Sequence, residues 1–210
     1  MTPVRSPLYP VGLVVEGRRC LVVGGGRIAA RKVAALRACG AQVEVVAPEI
    51  SDEIVALAGV TCRRRGYEPG DLLGVRLVIT ATGDPATDRR VFDDAEAAGI
   101  WVNSADDPDH CSFTLPATLR RGPLLVTVAT GGHSPALATW LRDRIGEKVG
   151  SEFEVLVDLL SQTRDELHAA GGSTEEVDWH LALDSEMLEL IRAGLITEAR
   201  ERLRSCRSSS

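Results

Sequence analysis

The chain has 210 residues, enough for one large domain or for one domain with a smaller appendage. Hydrophobic residues make up 44% of it but aromatics only 4%, so a sizeable core can form and must be aliphatic. A formal net charge of −6 argues against general nucleic-acid binding, which favours a strongly basic face.

Leu8 to Val15 reads as an extended lead-in, and Glu16-Gly17 as the turn into a first strand, Cys20 to Val23. Gly24-Gly25-Gly26 follows at once, then a helix from Ala29 to Cys39 and a second strand, Gln42 to Val46. A glycine triplet alone is a weak signal, because surface turns use glycine too. Between strand and helix it points to dinucleotide binding. Gly24 permits the tight turn, Gly26 lets backbone amides approach a pyrophosphate, and Ala29 allows close helix–strand packing. The helix N-terminus adds unpaired N–H groups and a positive dipole end. Pro48 ends the second strand, and Ser51 is placed to cap a short helix to about Leu57, with Asp52 and Glu53 in its first turn. Val60 to Arg63 reads as a third strand, with Arg63-Arg64-Arg65 as its solvated end. Leu77 to Thr82 is an uninterrupted fourth strand of the kind buried in parallel sheets. Pro85 to Ala98 is helical, with Val91, Phe92, Ala95 and Ala98 at helical spacing. Gly99 ends it, and Ile100 to Asn103 makes a fifth strand. The alternation predicts a Rossmann-like, doubly wound parallel α/β sheet over residues 1–113.

The pattern then changes. Ser112 to Leu119 is extended, Arg121-Gly122-Pro123 is a turn and Leu124 to Thr130 is strongly β-prone, which predicts a hairpin outside the main sheet. Gly131-Gly132 breaks the strand; Ser134 caps and Pro135 opens a helix to about Ile145. Residues 114–149 form this hairpin and helix region. Residues 150–210 read as a helical domain, with Leu156, Leu159 and Leu160 in one stripe and Leu188, Leu190, Ile191 and Leu195 in another. Gly171-Gly172 separates the helices, and a polar tail from Arg204 frays. The five cysteines, Cys20, Cys39, Cys62, Cys111 and Cys206, are odd in number and scattered. That is neither a disulfide framework nor a thiolate zinc site, and it suits a reducing cytoplasm. No leader pattern and no run near the ~20 apolar residues of a membrane span is present, so a soluble, cytoplasmic protein is expected.

Ligands of open α/β sheets sit beyond the C-terminal ends of the strands. Thr80-Ala81-Thr82-Gly83, closing the fourth strand, should line a cofactor groove in which the nicotinamide half lies against small residues. The same residues also make an ordinary strand-to-helix turn. An NAD site usually has an acidic residue at the end of the second strand for the ribose hydroxyls. Here Pro48 is followed by Glu49, which can equally be a helix-opening carboxylate. No arginine follows directly, which favours NAD over NADP. Asp106 lies just past the fifth strand; a turn aspartate is the plain alternative, since Asp-Asp-Pro is common turn chemistry. His110 and His133 have no partners at ligand spacing and sit in polar loops, so they read as solvated histidines and no metal site is expected.

Three segments resemble the precorrin-2 dehydrogenase family, the module that opens siroheme synthases. They are Leu21 to Lys32, with its glycine triplet and Ala-x-Arg-Lys; Val102 to Pro108, with Phe113 and Pro116; and Gly122-Pro123-Leu124 through Thr130 to Ala138. The last is the most specific. The likeness covers roughly residues 8–148, and the helical tail fits in position but not in distinctive residues. The resemblance implies NAD-dependent oxidation of precorrin-2, a polycarboxylate tetrapyrrole, to sirohydrochlorin, for siroheme or cobalamin biosynthesis. Some members also insert Fe²⁺ to give siroheme, without a fixed metal cage. It implies a homodimer with the hairpin in the contact. It also implies a separate enzyme to supply substrate, this chain being too short for the methyltransferase domain of larger members.

Residue by residue, Gly24, Gly25, Gly26, Arg27 and Ile28 fall in the cofactor motif, and Pro48 and Glu49 match adenosine-contact positions. Asp106 matches the catalytic aspartate, a base for the protons lost in oxidation or chelation, with Asp107 as its rival. Ser104 departs from the apolar residue usual there. Thr130, His133 and Ser134 are candidates for the substrate's carboxylates, as are Arg120, Arg121 and Arg142. The contrasting reading is a non-enzymatic, NAD-responsive regulator whose helical tail contacts a partner. Such a sensor needs neither Asp106 nor the Thr-Gly-Gly-x-Ser-Pro turn. A generic short-chain oxidoreductase is weaker, because neither Tyr9 nor Tyr67 has a lysine four residues on.

Overall fold

Five strands lie side by side, the inner ones apolar on both faces and the β3 edge apolar on one. In β1 (Arg19–Val23), Cys20 and Val22 join one core while Leu21 and Val23 join another. β2 (Gln42–Val46), β3 (Val60–Arg63), β4 (Leu77–Thr80) and β5 (Trp101–Ser104) complete a parallel sheet of order β3-β2-β1-β4-β5. The computed structural model describes residues 7–105, 107–172, 179 and 183–205.

α1 (Arg27–Ala38) and α2 (Asp52–Val55) cover one face, burying Ala29, Ala30, Val33 and Ile54 against Cys20, Val22, Val43 and Val45. Alanine at the first two of these positions lets α1 come close to the sheet. α3 (Pro85–Ala97) covers the other face with Val91 and Ala95 against Leu21, Val23, Val78 and Val102. Each such Val or Leu contributes roughly 1.5–3 kcal/mol on burial. The chain winds outward from β1 to β3 and then crosses back to β4, so the strand order reverses between β1 and β4. A crevice opens there at the C-terminal strand ends.

Several boundaries differ from expectation for local reasons. α1 begins at Arg27 because Gly26 is its N-cap: the Ala30 N–H donates to the Gly26 carbonyl at 3.0 Å. β4 ends at Thr80, where Ala81 and Thr82 turn across the glycine bend. Leu8 to Val15 forms no regular secondary structure. Ser51 takes the N-cap position of α2 but its hydroxyl makes no cap bond, and that helix stops at Val55.

Two 3₁₀ turns, Pro69–Leu72 and Pro108–His110, have no counterpart in the sequence reading. Nor is Arg63-Arg64-Arg65 simply a solvated strand end. Arg63 pairs with Glu44 of β2. Arg65 grips Asp71 through both its nitrogens, at 2.8 and 2.5 Å, and Asp71 also accepts the Glu68 N–H at 2.9 Å. Asp71, only 7% exposed, thereby fixes the connection from β3 to β4, and Tyr67 within it is buried.

The chain divides into two units, Met1–Leu115 with Gly131–His133, and Pro116–Thr130 with Ser134–Ser210. In the second, β6 (Ala117–Arg121) and β7 (Leu124–Val128) form an antiparallel hairpin closed by Gly122-Pro123. Gly122 has φ +53°, and glycine then proline is the pairing a two-residue II′ turn takes. α4 (Pro135–Gly146) packs on both strands and opens as expected, with the Ser134 hydroxyl accepting the Leu137 N–H at 3.1 Å. α5 (Glu152–Ala169), α6 (Ser185–Arg192) and α7 (Ile196–Ser205) share a core of Leu156, Leu159, Met187, Ile191, Ala199 and Leu203. Arg204 and Ser205 continue α7; the rest of the expected polar tail lies outside the described residues. No helix among the described residues is long and apolar enough to cross a membrane.

Arg65 holds the Asp71 carboxyl below its ordinary value. A depressed carboxyl contributes stability that is present above its unfolded value, about 3.9, and is lost as pH falls through the folded value. Thermal melts of the wild type should therefore weaken on acidification below about pH 4. Asp71→Asn should reduce that loss and lower the midpoint at pH 7 by several degrees. An unchanged midpoint at pH 7 would show that the pair does not anchor the connection.

Candidate functional site

The glycine bend after β1 is held by backbone on two sides. Gly24 has φ +129°, its N–H donates to the Val46 carbonyl at 3.0 Å, and a Cβ on it would stand 2.2 Å from the Ala81 oxygen. A Cβ on Gly25 would stand 1.9 Å from the Glu49 oxygen, and the Gly25 carbonyl accepts the Ser51 N–H at 2.9 Å. These two residues are glycine because the loops after β4 and β2 press against them. Gly26 is different. It is exposed, and a Cβ there would meet nothing within 4 Å. Its bareness serves no packing among the described residues and leaves open ground before the α1 N-terminus. That helix has no acidic residue in its first turn, so nothing there repels an anion.

A cavity of about 500 Å³ opens over this bend. Of the predicted cofactor residues, Gly24, Gly25, Gly26, Pro48, Glu49, Ala81 and Thr82 meet on its wall. Its volume falls within the range of small-molecule sites, and the bare N-terminus with a carboxylate beside it suits a nucleotide's pyrophosphate and ribose. Arg27 and Ile28 sit in the first turn of α1 and are not part of that wall. Thr80 is fully buried, its hydroxyl without a hydrogen-bond partner among the described residues and its carbonyl accepting the Ala105 N–H at 2.9 Å. The Thr82 hydroxyl donates to the buried Asp88 at 2.7 Å.

The rest of the wall was not singled out from the sequence. Gly66 and Tyr67 come from the loop after β3; Asp84, Thr87 and Arg90 come from α3 and its cap. Asp84 accepts N–H groups from Ala86 and Thr87, each at 3.2 Å, and the Thr87 hydroxyl at 2.6 Å. The Tyr67 hydroxyl donates to Asp94 at 3.0 Å; burial and that carboxylate hold the phenol well above its ordinary value. In the sequence Tyr67 stands out only for lacking a lysine four residues on. Asp84 and Thr87 meet in a helix cap that Asp84-Pro85 signals locally; Gly66 and Arg90 carry no such signal.

Beyond β5, Asn103 and Ser104 are buried. Asp106, the predicted catalytic residue, lies outside the described residues. Asp107 caps the 3₁₀ turn: one oxygen accepts the Asp109 N–H at 3.2 Å and the other meets His110 Nδ1 at 2.5 Å. His110 Nε2 meets Arg89 Nη1 of α3 at 2.6 Å. Arginine can only donate, so Nε2 accepts and Nδ1–H donates to Asp107. His110 is thus tied at both ends, its ring edge-to-face with Phe92 and the two ring centroids 5.0 Å apart. It is not the solvated loop histidine expected, because Arg89 and Phe92 reach it from α3. The His110 hydrogen bond holds the Asp107 carboxyl below its usual value. The Cys111 thiol donates to the Asp107 carbonyl at 3.3 Å and its sulfur accepts the Ser104 N–H at 3.2 Å, which ties the loop back to β5.

In the second unit the Thr130 hydroxyl donates to the Ser134 carbonyl at 3.0 Å and accepts the Ser134 N–H at 3.1 Å. Between them Gly131 and Gly132 have φ +59° and +80°, and His133 is exposed. Of the candidate arginines, Arg121 donates to the Val149 carbonyl at 3.0 Å, Arg142 pairs with Asp143 at 2.7 Å and Arg120 is exposed. Among the described residues no group of three His, Cys, Asp or Glu side chains is arranged to hold a metal ion.

Residues 11–117 match a family of putative NAD(P)-binding proteins. The siroheme synthase of Nitrosococcus oceani is 35% identical over 195 residues, which cover 90% of this chain and 42% of that protein. That of Azotobacter vinelandii is 40% identical over 194 residues, again 90% of this chain and 42% of the other. The chain therefore spans about two fifths of the length of these relatives. Among solved structures, SirC, a precorrin-2 dehydrogenase, has a TM-score of 0.72 at 28% identity, over 95% of this chain and 98% of that one. The chain belongs to the putative NAD(P)-binding family, and it is a homologue of siroheme synthases and of the precorrin-2 dehydrogenase SirC.

Proposed function

We propose that this chain is a precorrin-2 dehydrogenase of siroheme biosynthesis that uses NAD. One observation carries the reading. The open side of Gly26 faces the N-terminus of α1 in a cavity that also holds Glu49, within a fold shared along nearly its whole length with SirC. The first-turn N–H groups of α1, with Arg27 and Ile28 among them, hold the pyrophosphate. Glu49, beside Pro48, accepts hydrogen bonds from the ribose hydroxyls and disfavours a 2′-phosphate, which selects NAD over NADP. Ala81 and Thr82 border the nicotinamide half, and Thr80 acts through its carbonyl, which fixes Ala105 and the start of the loop bearing Asp106.

When bound, NAD accepts the hydride that leaves the macrocycle; the proton lost with it goes to the Asp106 carboxylate. Asp107 is already engaged by His110, so Asp106 is the base of the pair. Thr130 and Ser134 shape the loop that meets the substrate's carboxylates, and His133 contacts one of them. Arg120, Arg121 and Arg142 supply positive charge to the same groups. Iron insertion asks the same service of Asp106, removal of pyrrole protons, with Fe²⁺ as substrate. The hairpin of the second unit forms the contact of a homodimer, and the reaction runs in the cytoplasm.

Purified protein mixed with precorrin-2 and NAD⁺ should develop the absorbance of NADH, and Asp106→Ala should lower the rate by about 10² or more. Asp107→Asn should cost much less. The same variants assayed with sirohydrochlorin and Fe²⁺ test chelation separately. No NADH, with NAD still bound, would replace the enzyme by a nucleotide-sensing regulator.

The glycines give an independent check on the cofactor. Gly25→Ala should destabilise the Rossmann unit by about 1–3 kcal/mol, because a main-chain oxygen must move. Gly26→Ala should cost less stability than Gly25→Ala, no more than the loss of a glycine cap, yet weaken NAD binding about tenfold or more, by filling the ground over which the pyrophosphate lies. Wild-type affinity in Gly26→Ala would remove the dinucleotide from this bend.

A further inference from the structure

The cavity over the glycine bend runs from β1 past Pro48 and Glu49, beyond β2, to Gly66 and Tyr67, beyond β3. A dinucleotide with its pyrophosphate at the bend and its ribose at Glu49 therefore brings its adenine to the β3 side. At that side the wall is Tyr67 and Arg90. Arg90 comes from α3 and is the only cation among the described lining residues. Its guanidinium is fixed: Nη2 donates to the Tyr67 carbonyl at 2.5 Å, and Cζ lies 5.3 Å from the centroid of the Tyr67 ring. Tyr67 is a firm support, 5% exposed and bonded through its hydroxyl to Asp94. Arg90 itself is exposed, so the group stays open on its far side.

Resting on the cofactor part of the reading above, we propose that Arg90 is an adenine-binding residue, its planar guanidinium stacking on the base at the far end of the cavity. Two features favour the base over a phosphate. Glu49 shares the cavity and repels a 2′-phosphate. The guanidinium is held by a carbonyl and an aromatic ring, an arrangement that presents a flat, weakly hydrated cation rather than a fork of free donors. Adenine offers the matching π-face.

Calorimetric titrations with ADP-ribose, its 2′-phosphorylated form and nicotinamide mononucleotide test the assignment on wild type, Arg90→Lys and Arg90→Met. Both variants should weaken ADP-ribose binding about tenfold and leave nicotinamide mononucleotide binding unchanged. That unchanged binding also shows that the fold survives. Wild-type affinity in Arg90→Lys would mean that charge alone suffices, and the stacking role would fall. A loss confined to the 2′-phosphorylated ligand would make Arg90 a phosphate reader and overturn the proposal. If wild type binds ADP-ribose and neither variant differs from it, Arg90 has no cofactor role while the dehydrogenase reading stands. If wild type binds none of the three ligands, the cofactor reading itself fails.

Discussion

The rest of the structure depends on a close approach of main chain to main chain. Gly24 and Gly25 lie so near the Ala81 and Glu49 carbonyls that no side chain fits between. Three loops, after β1, β2 and β4, are thereby drawn to one point at the C-terminal edge of the sheet. Hydrogen bonds fix the approach: Gly24 to Val46, Ala81 to Val23, and Ser51 to Gly25. Backbone packed against backbone cannot relax by turning a rotamer. The third glycine is left free of this duty, and its open side becomes ground for a ligand.

The sheet makes that convergence possible because its inner strands, β1 and β4, are buried on both faces. An aliphatic sequence with few aromatics suits thin layers of Val, Ile, Leu and Ala, and alternate residues of β1 enter opposite cores. The one aromatic that matters to the cavity, Tyr67, is used as a rigid floor under Arg90. It is held in place indirectly. The Arg65–Asp71 pair closes the 3₁₀ turn that follows it, and Asp94 of α3 takes its hydroxyl. A half-buried ion pair thus shapes the β3 end of the cavity.

Much of this was legible in the sequence, and what was not has a common cause. β2 and β3 fall on the predicted residues because proline and glycine punctuate them and their β-branched runs have no rival period. The glycine bend, Glu49 and the Ala81-Thr82 corner follow from strand order alone, since any parallel sheet delivers its loops to one edge. The α1 start was misplaced because Gly26 serves as cap without a side chain. Arg63, His110 and Arg90 carry no local sign of their roles because these lie in contacts across the fold, and the Arg65–Asp71 pair forms only once the 3₁₀ turn closes. His110 is the clearest case. A histidine in a polar loop reads as solvated until Arg89 and Phe92 arrive from a helix that precedes β5. Local pattern carries no sign of such a neighbour.

The His110 contact also bears on which of two adjacent carboxylates does chemistry. Two neighbouring acids in one loop take different roles when their surroundings differ. Asp107 accepts a backbone N–H and an imidazole N–H, and Arg89 stands behind that ring; its carboxyl is held ionised as a structural anchor. Such a group is a poor base, because taking a proton would break the bonds that hold the turn. On the proposed reading the division is therefore settled by α3 rather than by either acid itself. Arg89 fixes the tautomer of His110, His110 occupies Asp107, and the proton of the substrate is left to Asp106. On the same reading, the helix that lends Arg90 to the cavity over the glycine bend also ties up Asp107, through Arg89 one residue earlier.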